Sequence, residues 1–361
     1  MIEYLRAMET DDCIKLVIGT AKPCFNAKIV LGDNEYFEIY NKNEPFDLSN
    51  HVFMLPKPTA IAGKNAVFCC DTEGNEHAEN FVLDYSLESA IELYEQMDNG
   101  LRIIKETRER IANGVEFAQF DCIDKHGAPV KAFSLFVDLA SASLYVGTPN
   151  DSYESVGVCA TLPEMIDSAL AGGVPVVAAV NADFFDMFGD CHPSGLCVKN
   201  GIIISNVENT RPFIAIKNDG SEIITTSAES PELMSKIAHA VAGMQIIVKD
   251  GQFSELALLE PFSYVRHPRT AAGITADGKV ILTVVDGRIP EYSNGASLVD
   301  LAKLMIHLGA NKAINLDGGG SSAVYVKNGN RYDLRSNPAD LIRPRDKLIR
   351  KEFNSILVIE K

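Results

Sequence analysis

The sequence predicts an α+β protein: a largely antiparallel or mixed sheet flanked by helices, preceded by a small β-rich N-terminal module and a linking helix. Three observations carry that expectation. Five Asn-Gly or Asp-Gly pairs, at 200–201, 219–220, 250–251, 277–278 and 328–329, separate short β-rich runs in the manner of tight hairpins. Two apolar-periodic stretches carry helix end signals: Thr161 with Glu164 three residues on and a stop at Gly172-Gly173, and Ser297 with Asp300 three on and a stop at Gly309. Apolar residues at Leu87, Ala90, Tyr94, Met97, Leu101, Ile104 and Ile111 fall at three-four spacing, which gives one greasy stripe on a helix. The expected organisation is therefore a β-rich accessory module over 1–85, a linking amphipathic helix over 86–111 and a larger domain over 112–361.

Composition narrows the class of function. With 46% hydrophobic and 23% charged residues, a packed core is expected and wholesale disorder is excluded. The balance of 33 basic against 49 acidic side chains gives a net charge of −16, which repels polyanions, so no nucleic-acid partner is expected. An anionic small substrate would need arginines of its own inside the site. No window offers about 20 uncharged apolar residues in a row, so no transmembrane segment is expected. The N-terminus lacks a basic n-region and an apolar h-region, and a cytoplasmic protein is the expectation, or an exported one if the chain is a processed form. Eight cysteines (13, 24, 69, 70, 122, 159, 191 and 197) without a CxxC pair point to reduced, buried thiols.

Chemistry gathers in three acidic loops, each following an apolar strand. They hold Asn181, Asp183 and Asp186; Asp286 and Arg288; and Asn315, Asp317, Gly318, Gly319, Gly320, Ser321 and Ser322. A single Asp of this kind is ordinarily a turn former. Several brought to one sheet edge would repel one another, a cost that usually has a chemical reason. If Asp277-Gly278 is a two-residue hairpin loop, Ala276 pairs with Lys279, Arg269 faces Asp286 and His267 faces Arg288. That register would group guanidinium groups, an imidazole and a carboxylate, a set suited to gripping an anion while moving a proton; the plainer reading is a surface salt-bridge ladder. The triple glycine after Asp317 suggests backbone N–H groups turned toward one point, a nest for an anion or a developing oxyanion, although a tight turn also needs glycine.

The segments VNADFFD (180–186), HPRTAAGI (267–274), VVDGR (284–288) and NLDGGGSSAVYV (315–326) resemble, in order and spacing, the phosphodiester glycosidase family. Asn200-Gly201, and Asn337 to Asp340 with Arg350, are further matches. The resemblance covers roughly 112–361 and implies hydrolysis of an alpha-glycosyl phosphodiester, from a small molecule or a glycan, to free sugar and a phosphomonoester. On that reading Asp317 is the nucleophile or water-activating base, with Asp183, Asp286 and His267 as further catalytic candidates. Arg269 and Arg288 grip the phosphate, while Asn181, Asp186, Asn315, Gly318 to Gly320, Ser321 and Ser322 bind substrate. No cofactor is required; a divalent cation, calcium or magnesium, is the option, held by Asp183, Asp186 and Asp317.

Three rivals stand beside this reading. The Gly319-Gly320-Ser321-Ser322-Ala323 run approximates the nucleophile elbow of a serine hydrolase, with His267 available, but an elbow leads into a helix and this run leads into a strand-like stretch. A metal-dependent phosphodiesterase would use the same carboxylates as hard oxygen ligands. A non-catalytic glycan or cell-wall binding protein would use them to hold sugar hydroxyls.

Overall fold

The computed structural model describes the chain except for residues 1, 10–12, 22–23, 32–33, 40–50, 57–64, 72, 83–86, 97–99, 155–156, 188, 208–209, 227–230, 260–262, 290, 340, 344–345 and 348. Contacts divide the chain into two compact units, residues 1–99 with 255–266, and residues 100–254 with 267–361.

The first unit is built on two antiparallel sheets. One pairs Ile2–Glu9, Cys13–Thr20 and His51–Pro56; the other pairs Asn34–Ile39, Cys24–Leu31, Asn65–Asp71 and Glu76–Asn80. Alternate residues Ile14, Leu16 and Ile18 enter a core that also takes Ile29, Leu31, Phe53, Leu55 and Val67, as the two-residue period of a half-buried strand requires. Buried Arg6 joins the distant 255–266 segment to this unit. Its Nη1 donates to Leu258 O at 2.9 Å and to the Tyr264 hydroxyl at 3.3 Å, while that hydroxyl donates to Leu258 O at 2.9 Å.

The expected helix over 86–111 is corrected by the structure. A helix spans Leu87–Gln96, but Arg102–Ala112 is a strand paired with Val115–Ile123. Residues 86 and 97–99, Met97 among them, lie outside the described residues. Gly100, at φ +131°, precedes the strand, and the hydrogen bonds offered by the neighbouring strand override a stripe that continued only by numerical accident.

The second unit contains three larger sheets. An eight-stranded sheet runs in the order Gln252–Phe253, Gln245–Lys249, Ala310–Leu316, Arg269–Thr275, Lys279–Val285, Pro129–Asp138, Val115–Ile123 and Arg102–Ala112. A five-stranded sheet orders Ala142–Gly147, Ser355–Glu360, Val176–Asn181, Val324–Asn328 and Arg331–Leu334; a second five-stranded sheet orders Ile202–Asn206, Leu196–Lys199, Ile237–Ala242, Pro212–Lys217 and Glu222–Thr226. Inward side chains from all three, among them Phe133, Leu282, Leu316, Val177, Val358, Cys197 and Ile214, form one core cluster. Every Asn-Gly or Asp-Gly pair read as a hairpin joins two antiparallel strands. Both expected capping boxes are present, on helices Leu162–Ala171 and Leu298–His307. The first packs on Val176–Asn181, the second on Ala310–Leu316. Among the described residues the chain is mostly antiparallel sheet with few helices, more sheet-rich than the α+β expectation, and none of those helices is long and apolar enough to cross a membrane.

Two further expectations are corrected. The Asp277-Gly278 turn has a three-residue loop: Ile274 pairs with Val280, Gly278 N–H donates to Thr275 O, and Gly278 takes φ +82°. A glycine in the left-handed region closes such loops, and the extra residue slips the register by one. Arg269 therefore faces Val285, not Asp286, while His267 bridges Ala296 rather than facing Arg288. The cysteines are not all reduced thiols: Cys159 and Cys191 form a disulfide, whereas Cys24, Cys69, Cys122 and Cys197 are free and buried. Partners 32 residues apart, brought together by two loops, leave no spacing signal in the sequence.

Candidate active site

Antiparallel pairing sets three of the singled-out segments at one sheet edge. Arg269 opens its strand opposite Val285, and Thr270 lies opposite Leu316, so the loops at 267–269, 286–288 and 317–322 emerge together. They touch main chain to main chain. Gly319 N–H donates to Pro268 O at 2.8 Å, and a Cβ placed on Gly318 would stand 2.7 Å from that same oxygen and 3.6 Å from the Arg269 Cα. Only glycine fits so close an approach. Arg288, exposed and at φ +61°, lays its guanidinium over Gly319, where a Cβ would stand 3.0 Å from Nη2. A non-glycine residue held in the left-handed region is a strain that accumulates at functional sites.

A fourth segment arrives from the neighbouring sheet. Asn181 ends the strand Val176–Asn181, and its buried amide is fully engaged: Nδ2 donates to Asp317 O at 2.6 Å, while Oδ1 accepts from the Thr270 hydroxyl at 2.7 Å and from Ala323 N–H at 3.3 Å. Asp317 N–H donates to Ala182 O at 2.9 Å. Asn181 thus welds the VNAD segment to the LDGGGS segment and to HPRT. Asp317 itself is half-buried, with Oδ1 accepting from Gly318 N–H at 2.8 Å.

Of the amides expected to form a nest at the triple glycine, those of Gly318 and Gly319 are spent inside the protein. The N–H groups of Gly318, Gly319, Ser321 and Ser322 are taken by Asp317 Oδ1, Pro268 O, Gly318 O and Gly319 O respectively. Gly318 and Gly319 thus serve close packing instead of presenting their amides to an anion. Gly320, Ser321 and Ser322 are buried, and the run continues through Ala323 into the strand Val324–Asn328, not into the helix an elbow requires.

Positive charge flanks the loop at two points and underlies it at a third. Arg288 covers Gly319, and half-buried Arg350 donates from Nη1 to Ser321 Oγ at 3.4 Å. Arg269 is buried beneath them, its Nε donating to Ala296 O at 3.0 Å. Burial first, then the like charge of Arg288, pushes Arg269 down to about 9, with Asp300 working in the other direction. It stays protonated at neutral pH.

The acids separate into different environments. Asp183 is 3% exposed, and burial raises its carboxyl well above the ordinary range, against the opposing influence of Asn354, the Ala242 backbone and Arg211 and with the help of Asp317. Asp286 is also buried but serves as an anchor, accepting from Asn337 N–H at 2.9 and 2.8 Å and from the Tyr292 hydroxyl at 3.1 Å. Asp186 is exposed and caps a loop by accepting from Gly189 N–H at 2.9 Å. Asn315 is buried and holds Gln245 N–H at 2.9 Å, tying two strands of the large sheet. His267 is half-buried beside Ala296. Asp183, Asp186 and Asp317 do not form a group able to hold a metal ion, and no three His, Cys, Asp or Glu side chains do so among the described residues. Two surface grooves of about 430 and 480 Å³, along Arg108, Phe136 and Lys279, contain none of the singled-out residues.

Two residues at this site carry no motif. Asn354 donates to Asp183 Oδ2, and Arg211 lies over the Phe184 ring, 5.7 Å from its centroid, within electrostatic reach of Asp183. Asn354 is a polar residue in the apolar run from Phe353 to Val358, which is the one sequence signal for it. Arg211 precedes Pro212 in a loop and gives none.

Comparisons with known proteins agree with this architecture. N-acetylglucosamine-1-phosphodiester alpha-N-acetylglucosaminidase of Mus musculus is 28% identical over 194 residues, 48% of this chain and 35% of the relative. The Bos taurus protein of the same name is 29% identical over 181 residues, 45% of this chain and 32% of the relative. The chain spans about a third of the length of these curated relatives. The zebrafish catalytic domain of that name, auto-inhibited by its pro-peptide, superposes with a TM-score of 0.56 at 21% identity, covering 72% of this chain and 89% of that chain, which shows a shared fold. The family model for phosphodiester glycosidase matches residues 175–356, just over half of the sequence and all four motifs, and the chain belongs to the phosphodiester glycosidase family.

Proposed function

We propose that this chain hydrolyses an alpha-glycosyl phosphodiester, releasing free sugar and a phosphomonoester. The observation that carries the reading is the seat of the Arg288 guanidinium on Gly319, two residues from Asp317: a cation from one loop rests on the neighbouring loop that carries a carboxylate. Breaking an anomeric C–O bond builds positive charge on the sugar and negative charge on the departing oxygen. Asp317 takes the proton of the attacking water and faces the developing positive charge. Arg288, supported by Arg350, neutralises the departing phosphate, with a planar fork that matches its oxygens. Arg269 adds its buried charge from below and holds the strand end through Ala296 O.

The Cys159–Cys191 disulfide supports an oxidising compartment for the working protein over the cytoplasmic expectation. The reaction is assigned to the protein's own side chains, without a cofactor. The discriminating experiment compares Arg288→Ala on a sugar-1-phosphodiester and on an aryl glycoside. Its kcat/KM falls by about 10²–10³ on the phosphodiester and far less on the aryl glycoside, which has no phosphate to neutralise. Equal losses on the two substrates would refute the role given to Arg288.

A further inference from the structure

Asn354 immediately precedes the strand Ser355–Glu360, in which Ser355 pairs with Asn181. That register sets Asn354 beside the residues following Asn181, and its amide clamps Asp183 at two points. Oδ1 of Asn354 accepts from the Asp183 backbone N–H at 2.9 Å, and Nδ2 donates to Asp183 Oδ2 at 2.7 Å. Nδ2 also approaches Cys197 Sγ at 3.3 Å. Asn354 is 1% exposed and Asp183 is 3% exposed. The second carboxyl oxygen, Asp183 Oδ1, is buried and makes no hydrogen bond of ordinary geometry among the described residues, although the Ala242 backbone N–H lies near enough to the carboxyl to favour its ionised form in part.

An ionised carboxylate with one oxygen desolvated and unbonded is costly; a carboxylic acid carrying its proton on that oxygen avoids most of the cost. The charged and titratable groups acting on Asp183 are Arg211, which favours ionisation, and Asp317, which opposes it. The neighbouring Cys197 thiol is buried and held in its neutral form, so it adds no charge. Burial is the largest influence, and the balance lies with the neutral acid.

We propose that Asn354 is a positioning residue of the reaction, orienting Asp183 so that its Oδ1 carries the proton delivered to the departing phosphate oxygen. The inference rests on the reading of the reaction given above. As the anomeric C–O bond breaks, its electron pair goes to the phosphate oxygen, which takes the Asp183 proton. Water supplies the new C–O bond and gives its proton to Asp317. The two carboxyl groups thereby exchange protonation states, and solvent restores them.

The test joins a pH–rate profile to an infrared measurement, with thermal melts to confirm folding. Wild-type kcat falls at alkaline pH as Asp183 ionises. In Asn354→Ala the lost Nδ2 donor had favoured the ionised form, so the alkaline limb moves to higher pH, while kcat falls about 10–100-fold and KM changes little. His267→Gln leaves the limb in place. At neutral pH the wild type shows the C=O stretch of a protonated buried carboxyl, which Asp183→Asn abolishes. Absence of that band, or a limb that stays fixed in a folded Asn354→Ala, overturns the proposal. A protein that shows the band and its dependence on Asn354 yet turns over no glycosyl phosphodiester places the failure in the reaction assigned to the site, not in the Asn354–Asp183 pair.

Discussion

Two sides of the candidate site are held in different ways. Around Pro268, the loops at 286–288 and 317–322 lock by backbone approach: Gly319 N–H reaches Pro268 O, and Gly318 leaves no room for a methyl group. The loop at 184–195, which follows Asp183, is instead tethered at intervals. Cys191 is bonded to Cys159, Gly157 N–H donates to Asp190 O at 2.7 Å, and Asp186 N–H donates to His192 O at 2.9 Å. The contrast teaches that the Asp317 side owes its geometry to the sheet edge itself, whereas the Asp183 side depends on a crosslink and on Asn354. Damage to the first should abolish activity before it unfolds the protein; damage to the second should appear in stability and in pH dependence.

Among substitutions that bear on how the two sides are held, the largest effect is expected from Gly318→Ala. Its methyl group would have to displace Pro268 O, at a cost of about 1–3 kcal/mol for overpacking, and a shift of the loop by about 1 Å is enough to lose about 10² in kcat. A variant of normal activity would break the comparison at its firmer side. Next comes the disulfide. Replacing Cys159 by Ser should lower stability by about 2–4 kcal/mol in a denaturant titration and leave kcat at saturating substrate within a few-fold. An equal loss of catalysis would mean that the two sides are not independent.

Asp183→Asn should do the opposite to stability. A carboxyl whose folded pKa is raised binds its proton more tightly in the folded state, so the wild type loses stability as pH rises above the ordinary carboxyl range toward the folded pKa. The asparagine variant removes that cost, gains stability at alkaline pH, and melts less steeply with pH while losing activity. A pH–stability curve parallel to the wild type would show that Asp183 is not the group concerned. The smallest effect is expected from chelator treatment, which should leave turnover unchanged because the reaction is assigned to side chains; loss restored by one metal would favour the metal-dependent reading.

Much of this was legible in the sequence for local reasons. The capping boxes at Thr161 and Ser297, and the presence of hairpins at the five glycine-containing turns, depend on neighbouring residues alone, and the chain forms them all. The sequence offered HPRT and LDGGGS as parts of one site without fixing their strand order; the pairing of Thr270 with Leu316 is what brings them together. What was missed depends on partners distant in sequence. One extra loop residue at Gly278 moved Arg269 from Asp286 to Val285. The hydrogen bonds of a neighbouring strand turned 102–112 away from helix. Pairing of Cys159 with Cys191 and the clamp of Asn354 on Asp183 join residues 32 and 171 positions apart. The glycine loop looked like an anion nest because sequence shows the freedom of the backbone but not where its N–H groups are spent.

On the proposed reading Asp317, on the glycine-packed side, drives cleavage of a glycosyl phosphodiester. The direct measurement is release of phosphomonoester from a synthetic alpha-glycosyl phosphodiester by the wild type and by Asp317→Asn, with a thermal melt of each. Turnover by the wild type is expected, with a loss of about 10²–10⁴ in kcat for a variant that melts at a similar temperature. Near-normal release by Asp317→Asn would contradict it.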